Sequence, residues 1–234
     1  MLPIAILIGG LATRLRPLTE TMPKSLVDVA GKPFITHQLT YLQAQGAQKV
    51  VLCAGYLGEQ LEPIIGNGRQ YGLTVSYSYD GPTLLGTGGA LKKALPLLGK
   101  QFFVLYGDCF LPINFSRIEQ IFLSSEKLAL MTVIKNRSHF EKSNVLFRKG
   151  KLINYDKHNP GAEMNYIDYG LGILTDSVLD VIPIEKTYDL ASIYHALSKD
   201  GQLFGYEVQT SGYEIGSPQG LIKTRQYFEK RMSS

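Results

Sequence analysis

Glycine and cationic residues gather early in this chain. Gly9 and Gly10 follow directly on the apolar run Leu2–Ile8, and the stretch Gly9–Pro33 carries Arg14, Arg16, Lys24 and Lys32 against only Glu20 and Asp28. Glycines at the carboxyl end of a strand let backbone N–H groups approach an anion, and guanidinium forks match phosphate oxygens. The chemistry this favours is the binding of a small phosphorylated ligand. It is not a known phosphate loop of either common kind. Lys24-Ser25 follows Pro23 rather than a glycine run, so Walker A fails, and Leu91 stands where the dinucleotide fingerprint starting at Gly86-Thr87-Gly88 needs a third glycine. Further candidates lie downstream: Gly86–Ala90, Gly107-Asp108, Asp156-Lys157, and Glu214 within Gly212–Pro218.

These groups need a scaffold, and the hydrophobic pattern supplies one. Ile4–Ile8, Lys49–Ala54, Thr74–Tyr79, Phe102–Tyr106 and Ala129–Ile134 read as strands; Phe34–Gln45, Leu57–Ile65, Gly89–Leu97 and Phe115–Ser124 read as the helices between them. Strands joined by crossover helices make an α/β sheet, with ligands at the carboxyl ends of its strands. Asn144–Arg148 and Leu152–Asp156 flank Lys149-Gly150-Lys151 as a hairpin. Tyr166–Leu174 and Leu203–Val208 are further strands, Asp189–Leu197 and Gln219–Met232 further helices. Gly9–Pro33 is left as a long loop without helix or strand, which is uncommon unless it has a job. With no repeat or linker, 1–234 reads as one domain, with a β elaboration around 138–168 on the substrate side.

With these anchors on the page, the chain resembles the sugar-1-phosphate nucleotidyltransferases. Gly9-Gly10-Leu11-Ala12-Thr13-Arg14-Leu15-Arg16-Pro17-Leu18-Thr19 and Pro23-Lys24-Ser25-Leu26 resemble the family's signature loop, with Ala12 where a glycine is usual. The resemblance implies a Rossmann-like three-layer α/β/α sandwich around a mixed, mostly parallel sheet. It implies a nucleotide-binding part over about 1–135 and a sugar-phosphate part over about 136–234. It assigns Arg14 and Lys24 to catalysis, and Ile8, Gly9, Gly10, Thr13, Gly86, Thr87 and Gly88 to the nucleotide. Asp156, Lys157 and Asp168 fall to the sugar phosphate, and Asp108 with Glu214 to Mg²⁺. The implied reaction joins a nucleoside triphosphate and a sugar-1-phosphate into a nucleotide sugar and pyrophosphate. For the substrate, GTP with a heptose-1-phosphate for bacterial envelope polysaccharide is set ahead of a uridylyltransferase for a hexose or N-acetylmuramate 1-phosphate.

Composition narrows the field around that expectation. The chain has 24 Lys+Arg against 20 Asp+Glu, a net charge of +4 that is too mild to mark a nucleic-acid partner. No apolar run approaches the roughly 18 residues of a membrane span. Leu2–Ile8 lacks a preceding positive residue and a cleavage site, so it reads as a strand rather than a signal sequence. Cys53 and Cys109 cannot make a disulfide framework, which favours a reducing, cytoplasmic setting. His37, His139, His158 and His195 share no metal-ligand spacing. A glycosyltransferase would want two aspartates one residue apart, which Asp108-Cys109-Phe110 lacks. A non-catalytic nucleotide-sugar-binding subunit stays an alternative, although Arg14, Lys24 and Asp108 are all present. Self-association is left open.

Overall fold

The structure, a computed structural model, describes residues 1–137 and 142–232. The chain begins with β1 (Ile4–Leu7), β2 (Asp28–Val29), β3 (Lys32–Pro33), α1 (Phe34–Ala44), β4 (Lys49–Ala54), α2 (Glu62–Ile65), β5 (Thr74–Tyr79), α3 (Gly86–Leu98) and β6 (Gln101–Tyr106). It continues through β7 (Cys109–Phe110), α4 (Phe115–Ser125), β8 (Ala129–Lys135), β9 (Val145–Arg148), β10 (Lys151–Tyr155) and β11 (Tyr166–Thr175). α5 (Leu190–Lys199), β12 (Leu203–Val208), β13 (Tyr213–Glu214) and α6 (Pro218–Met232) complete it.

Among the described residues the main sheet has nine strands. β1 pairs in parallel with β4 and β6, and β4 with β5. β11 runs antiparallel to both β6 and β8, and β12 lies parallel to β8 at the far edge. The hairpin of β9 and β10 branches from β11 where Tyr166 meets Val145. This is the mixed, mostly parallel arrangement that the sequence predicts.

Alternation along the strands decides the layers. Ile4, Ile6 and Ile8 face Ile35, Leu39 and Leu42 of α1 and Phe115, Ile118 and Phe122 of α4. Ala5 faces the other way, onto Ala90, Leu91 and Ala94 of α3 and Leu190, Ile193 and Tyr194 of α5. Each fully buried Ile, Leu or Phe contributes about 1.5–3 kcal/mol, so β1 is clamped from both faces and its carboxyl end is a rigid support. Among the described residues no helix is long and apolar enough to cross a membrane.

Two local expectations change. The helix predicted over Leu57–Ile65 is a 3-10 turn at Gly58–Gln60 followed by the single-turn α2. Pro63 sits in the first turn of α2, where its missing N–H is harmless, and Gly66 at φ 59° ends it. The stretch Gly9–Pro33 is not bare loop either: it folds into 3-10 turns at Thr13–Leu15 and Lys24–Leu26 and the antiparallel pair β2–β3. Leu15, Val27 and Val29 bury themselves in a third small core with Phe34, Phe110, Ile215, Leu221 and Phe228.

Candidate active site

A cleft of about 1080 Å³ opens at the carboxyl ends of β1, β4 and β6. At its floor two backbones nearly touch: a Cβ on Gly9 would lie 3.1 Å from the Gly55 nitrogen, and one on Gly55 only 2.7 Å from the Gly9 carbonyl oxygen. Glycine is needed at both positions so that the loop after β1 can lie flat against the end of β4. No sequence motif marks Gly55 for this contact with Gly9. Ala12 adopts a left-handed conformation (φ 49°, ψ 39°), the backbone that a glycine would favour, and its carbonyl accepts a hydrogen bond from the buried Thr19 hydroxyl at 2.8 Å.

From the loop, Ile8, Gly9, Gly10, Arg14 and Lys24 line the cleft, as do Gly86 and Thr87 from the first turn of α3. Asp108, Lys157, Asp168 and Glu214 line it from the other elements. The remaining sequence candidates sit elsewhere. Thr13 is exposed on its 3-10 turn. Gly88 is buried beneath Ile182 and Tyr188, and its N–H donates to the Tyr188 carbonyl at 2.8 Å. Asp156 Oδ1 accepts the N–H groups of His158 and Asn159, so this carboxylate shapes the turn after β10. Arg16 and Lys32 do not line the cleft, and His139 lies outside the described residues.

The reactive end is built by short elements. Lys24, in the 3-10 turn after Pro23, places Nζ 2.7 Å from Asp108 Oδ2. Burial pushes the Asp108 carboxyl up, but the charge and hydrogen bond of Lys24 outweigh it and hold the group below its ordinary value. The buried Gln38 of α1 donates from Nε2 to the Cys109 carbonyl at 2.7 Å, which fixes the turn carrying Asp108. Burial and neighbouring Asp108 drive the Cys109 thiol well above its ordinary range, so it offers no thiolate at neutral pH.

Pairing of β7 with β13 sets Glu214 opposite Cys109. Glu214 Oε2 accepts the N–H groups of Gly216 and Ser217, and Oε1 accepts the Ser217 hydroxyl, so the carboxylate also closes the start of α6. A Cβ on Gly216 would stand 2.9 Å from both Asp108 Oδ2 and Glu214 Oε2 and 3.1 Å from an Arg14 guanidinium nitrogen. Two carboxylate oxygens and a guanidinium therefore border one small space. Hard oxygen donors of this type suit Mg²⁺, which keeps its remaining positions for phosphate and water. Among the described residues no cluster of three or more His, Cys, Asp or Glu side chains offers a competing metal cage.

Toward the sugar-side elements, Asp168 Oδ2 accepts the Tyr106 hydroxyl at 3.1 Å and Oδ1 accepts the Gly170 N–H at 2.9 Å. Lys157 does not pair with its sequence neighbour Asp156. Its Nζ lies 3.0 Å from Asp189 Oδ2, the N-cap residue of α5. At the opposite end, Asp80 follows β5, is only 7% exposed, and accepts the Leu85 N–H at 3.0 Å.

Burial raises the Asp80 carboxyl further than the Leu85 N–H and Lys93 lower it. A carboxyl whose folded-state pKa is raised binds its proton more tightly when folded, so stability is lost as pH rises from the ordinary carboxylate range through the folded-state value and stays lower above it. Asp80→Asn is accordingly expected to raise the melting temperature by a few degrees at pH 7. The gain should vanish below the ordinary carboxylate range, as thermal denaturation across pH would show. No gain at neutral pH would mean that Asp80 is well solvated.

A cleft lined by glycine-rich and cationic loops at the carboxyl ends of such a sheet lies where open α/β proteins bind their ligands. Residues 4–144 match the nucleotidyl transferase family, and the chain belongs to it. It is 31% identical over 223 residues to a mannose-1-phosphate guanylyltransferase catalytic subunit beta from Xenopus tropicalis, an alignment covering 93% of this chain and 62% of that protein. The chain thus spans under two thirds of that relative's length. Among solved structures it superposes on HddC from Yersinia pseudotuberculosis complexed with GMP-PN, with a TM-score of 0.79 at 23% identity over 97% of this chain and all of that one. It also superposes on UDP-glucose pyrophosphorylase from Acinetobacter baumanii, with a TM-score of 0.78 at 18% identity over 97% and 93% of the two chains. These two likenesses establish the shared fold.

Proposed function

We propose that the chain transfers a nucleoside monophosphate from a nucleoside triphosphate to a sugar-1-phosphate, forming a nucleotide sugar and pyrophosphate. The observation that carries this reading is the meeting of Arg14, Lys24, Asp108 and Glu214 around one small space in the cleft. A sugar-phosphate oxygen attacks the α-phosphorus, and the bond from that phosphorus to the oxygen bridging the β-phosphate breaks. A phosphate monoester has its second pKa near about 6, so the nucleophile is already largely dianionic and needs no general base. What resists the reaction is repulsion between anions, and cations placed in advance relieve it.

Each residue then has a task. Backbone N–H groups at Gly9 and Gly10 and the Arg14 guanidinium hold the triphosphate and the departing pyrophosphate. Lys24 bridges toward the α-phosphate, and Lys157 holds the sugar phosphate. Asp108 and Glu214 hold the divalent cation, Mg²⁺ on this reading, whose role when bound is to neutralise phosphate charge. Asp168, fixed by Tyr106, accepts from sugar hydroxyls. Residues 1–135 thus serve the nucleotide and 136–234 the sugar, except that 212–220 return to the phosphates. Two free thiols and a nucleoside triphosphate substrate support a cytoplasmic setting.

Guanine is the base best supported. Its pairing edge offers adjacent N1–H and N2–H donors, which a carboxylate accepts together, whereas uracil offers one N–H between two carbonyls. Asp80 supplies such a carboxylate at the nucleotide end, and the relatives named mannose-1-phosphate guanylyltransferases support the same base. The sugar is of the mannose or heptose type, activated for envelope polysaccharide. The test is pyrophosphate release from four triphosphates against mannose, glucose, heptose and N-acetylmuramate 1-phosphates with Mg²⁺. GTP with mannose or heptose 1-phosphate should lead, and Asp80→Gln should lower the GTP-to-UTP ratio about tenfold. A panel led by UTP overturns the base, and no release from any pair overturns the reaction.

A further inference from the structure

A short strap, residues 187–190, runs along the glycine-rich start of α3 and the residues just before it. The Tyr188 N–H donates to the Leu85 carbonyl at 2.8 Å, and the Tyr188 carbonyl accepts the N–H groups of Gly88 and Gly89 at 2.8 and 3.3 Å. The Thr187 hydroxyl donates to the Leu84 carbonyl at 2.9 Å. Next comes Asp189, whose two oxygens divide their work. Oδ1 accepts the Thr87 hydroxyl at 2.9 Å and the Ala191 N–H at 3.0 Å, while Oδ2 takes the Lys157 ammonium at 3.0 Å. Thr87 Oγ1 in turn accepts the Leu190 N–H at 2.8 Å. One carboxylate therefore ties the first turn of α3, the start of α5 and the turn after β10.

Resting on the function proposed above, we propose that Asp189 is a positioning residue that holds the Lys157 ammonium at a fixed reach from the Gly86–Thr87 wall, so that the incoming sugar phosphate is registered against the bound nucleotide. A lysine stem has four carbons of rotamer freedom, and its ammonium is a point charge without the directional fork of arginine. Left alone it samples a wide arc. Asp189 is anchored at Oδ1 by a backbone N–H and a threonine whose own oxygen is bonded, so its Oδ2 is a stiff post. The hydrogen bonds and the nearby lysine also outweigh burial and keep this carboxyl below its ordinary range, so the post stays charged at neutral pH. An ammonium has three donors, so Lys157 grips the post and a phosphate oxygen at once.

The test is Asp189→Asn, an isosteric change that still caps α5 and still accepts from Thr87. With the most active substrate pair of the panel above, the KM for the sugar-1-phosphate should rise about tenfold, the loss of one charge-assisted hydrogen bond. The KM for the nucleoside triphosphate should stay within about twofold and the melting temperature unchanged. In a Lys157→Met background the same substitution should do nothing further, because Asp189 acts through that lysine. Equal rises in both KM values, an unchanged KM, additivity with Lys157→Met, or a lowered sugar-phosphate KM (Asp189 competing for the lysine) would each overturn the proposal. If the wild type turns over no pair, the function reading fails instead. The post is then read directly by NMR of ¹³C-methylated lysines: Lys157 should lose its ion-pair shift in Asp189→Asn, and an unmoved resonance would sink the assignment.

Discussion

Exchanging Lys24 for methionine should slow pyrophosphate release about a thousandfold in the proposed reaction. One unit-charge contact at 4 Å is worth about 4 kcal/mol at an effective dielectric of 20, and each 1.36 kcal/mol is about one decade of rate. Methionine keeps the length of the stem and removes the ammonium, so the loss reports charge rather than shape. The KM for the triphosphate should move far less than kcat, because Lys24 acts most strongly as charge redistributes at the reacting α-phosphate in the transition state. Stability is a separate question. The Lys24 and Asp108 side chains are 21% and 24% exposed, so water shares the load that the ammonium leaves behind. A drop of a few degrees in melting temperature is expected, and circular dichroism should show a folded protein. Release within tenfold of wild type would reduce Lys24 to a structural partner of Asp108.

Asp108→Asn should be as severe, for the opposite reason of charge. Asparagine still accepts from Lys24 Nζ, so the loop after Pro23 keeps its anchor. What disappears is one of the two carboxylates bordering the space beside Gly216. A divalent cation held by Glu214 alone should bind at least about tenfold more weakly, which Mn²⁺ electron paramagnetic resonance can follow without turnover. Turnover should fall by about three decades and recover only in part at high Mg²⁺. Chelation of divalent cations should abolish wild-type release in the same assay. Wild-type Mn²⁺ affinity in the variant would remove Asp108 from the metal site, and wild-type release would remove it from the chemistry.

Much of the scaffold was legible because burial is written in residue type. Lys49–Ala54, Thr74–Tyr79 and Leu203–Val208 match their strands residue for residue, since each is rich in apolar, β-branched or aromatic residues and the first two stop at once at Gly55 and Asp80. Leu57–Ile65 misled because Leu57, Leu61 and Ile65 keep helical spacing, while Pro63 and Gly66 allow only one turn. Gly9–Pro33 looked structureless because its buried residues find their partners in Phe110, Ile215 and Phe228, far along the chain. The site shows the same divide. Arg14, Lys24, Asp108 and Glu214 stood out because local motifs carry them. Asp80 and Asp189 did not: one follows a strand with no motif, and the other earns its place through Thr87, 102 residues away. Asp156 drew attention by adjacency to Lys157, but neighbours at the end of a hairpin need not face one another.

The third small core has a consequence for how the molecule is made. It is assembled from Leu15, Val27, Val29 and Phe34 near one end of the sequence and Ile215, Leu221 and Phe228 near the other. The Arg225 guanidinium adds a clasp, donating to the Asp28 carbonyl from Nε and Nη2 at 3.1 and 3.0 Å. On a ribosome, a chain that has emerged through Val208 already holds every strand of the main sheet, yet its cationic loop still lacks Ile215, Leu221 and Phe228, which complete its small core. Synthesis therefore supplies the main sheet before the residues that complete this small core. A nascent chain halted before α6 is expected to be folded in its sheet and, in the proposed reaction, inert toward triphosphates.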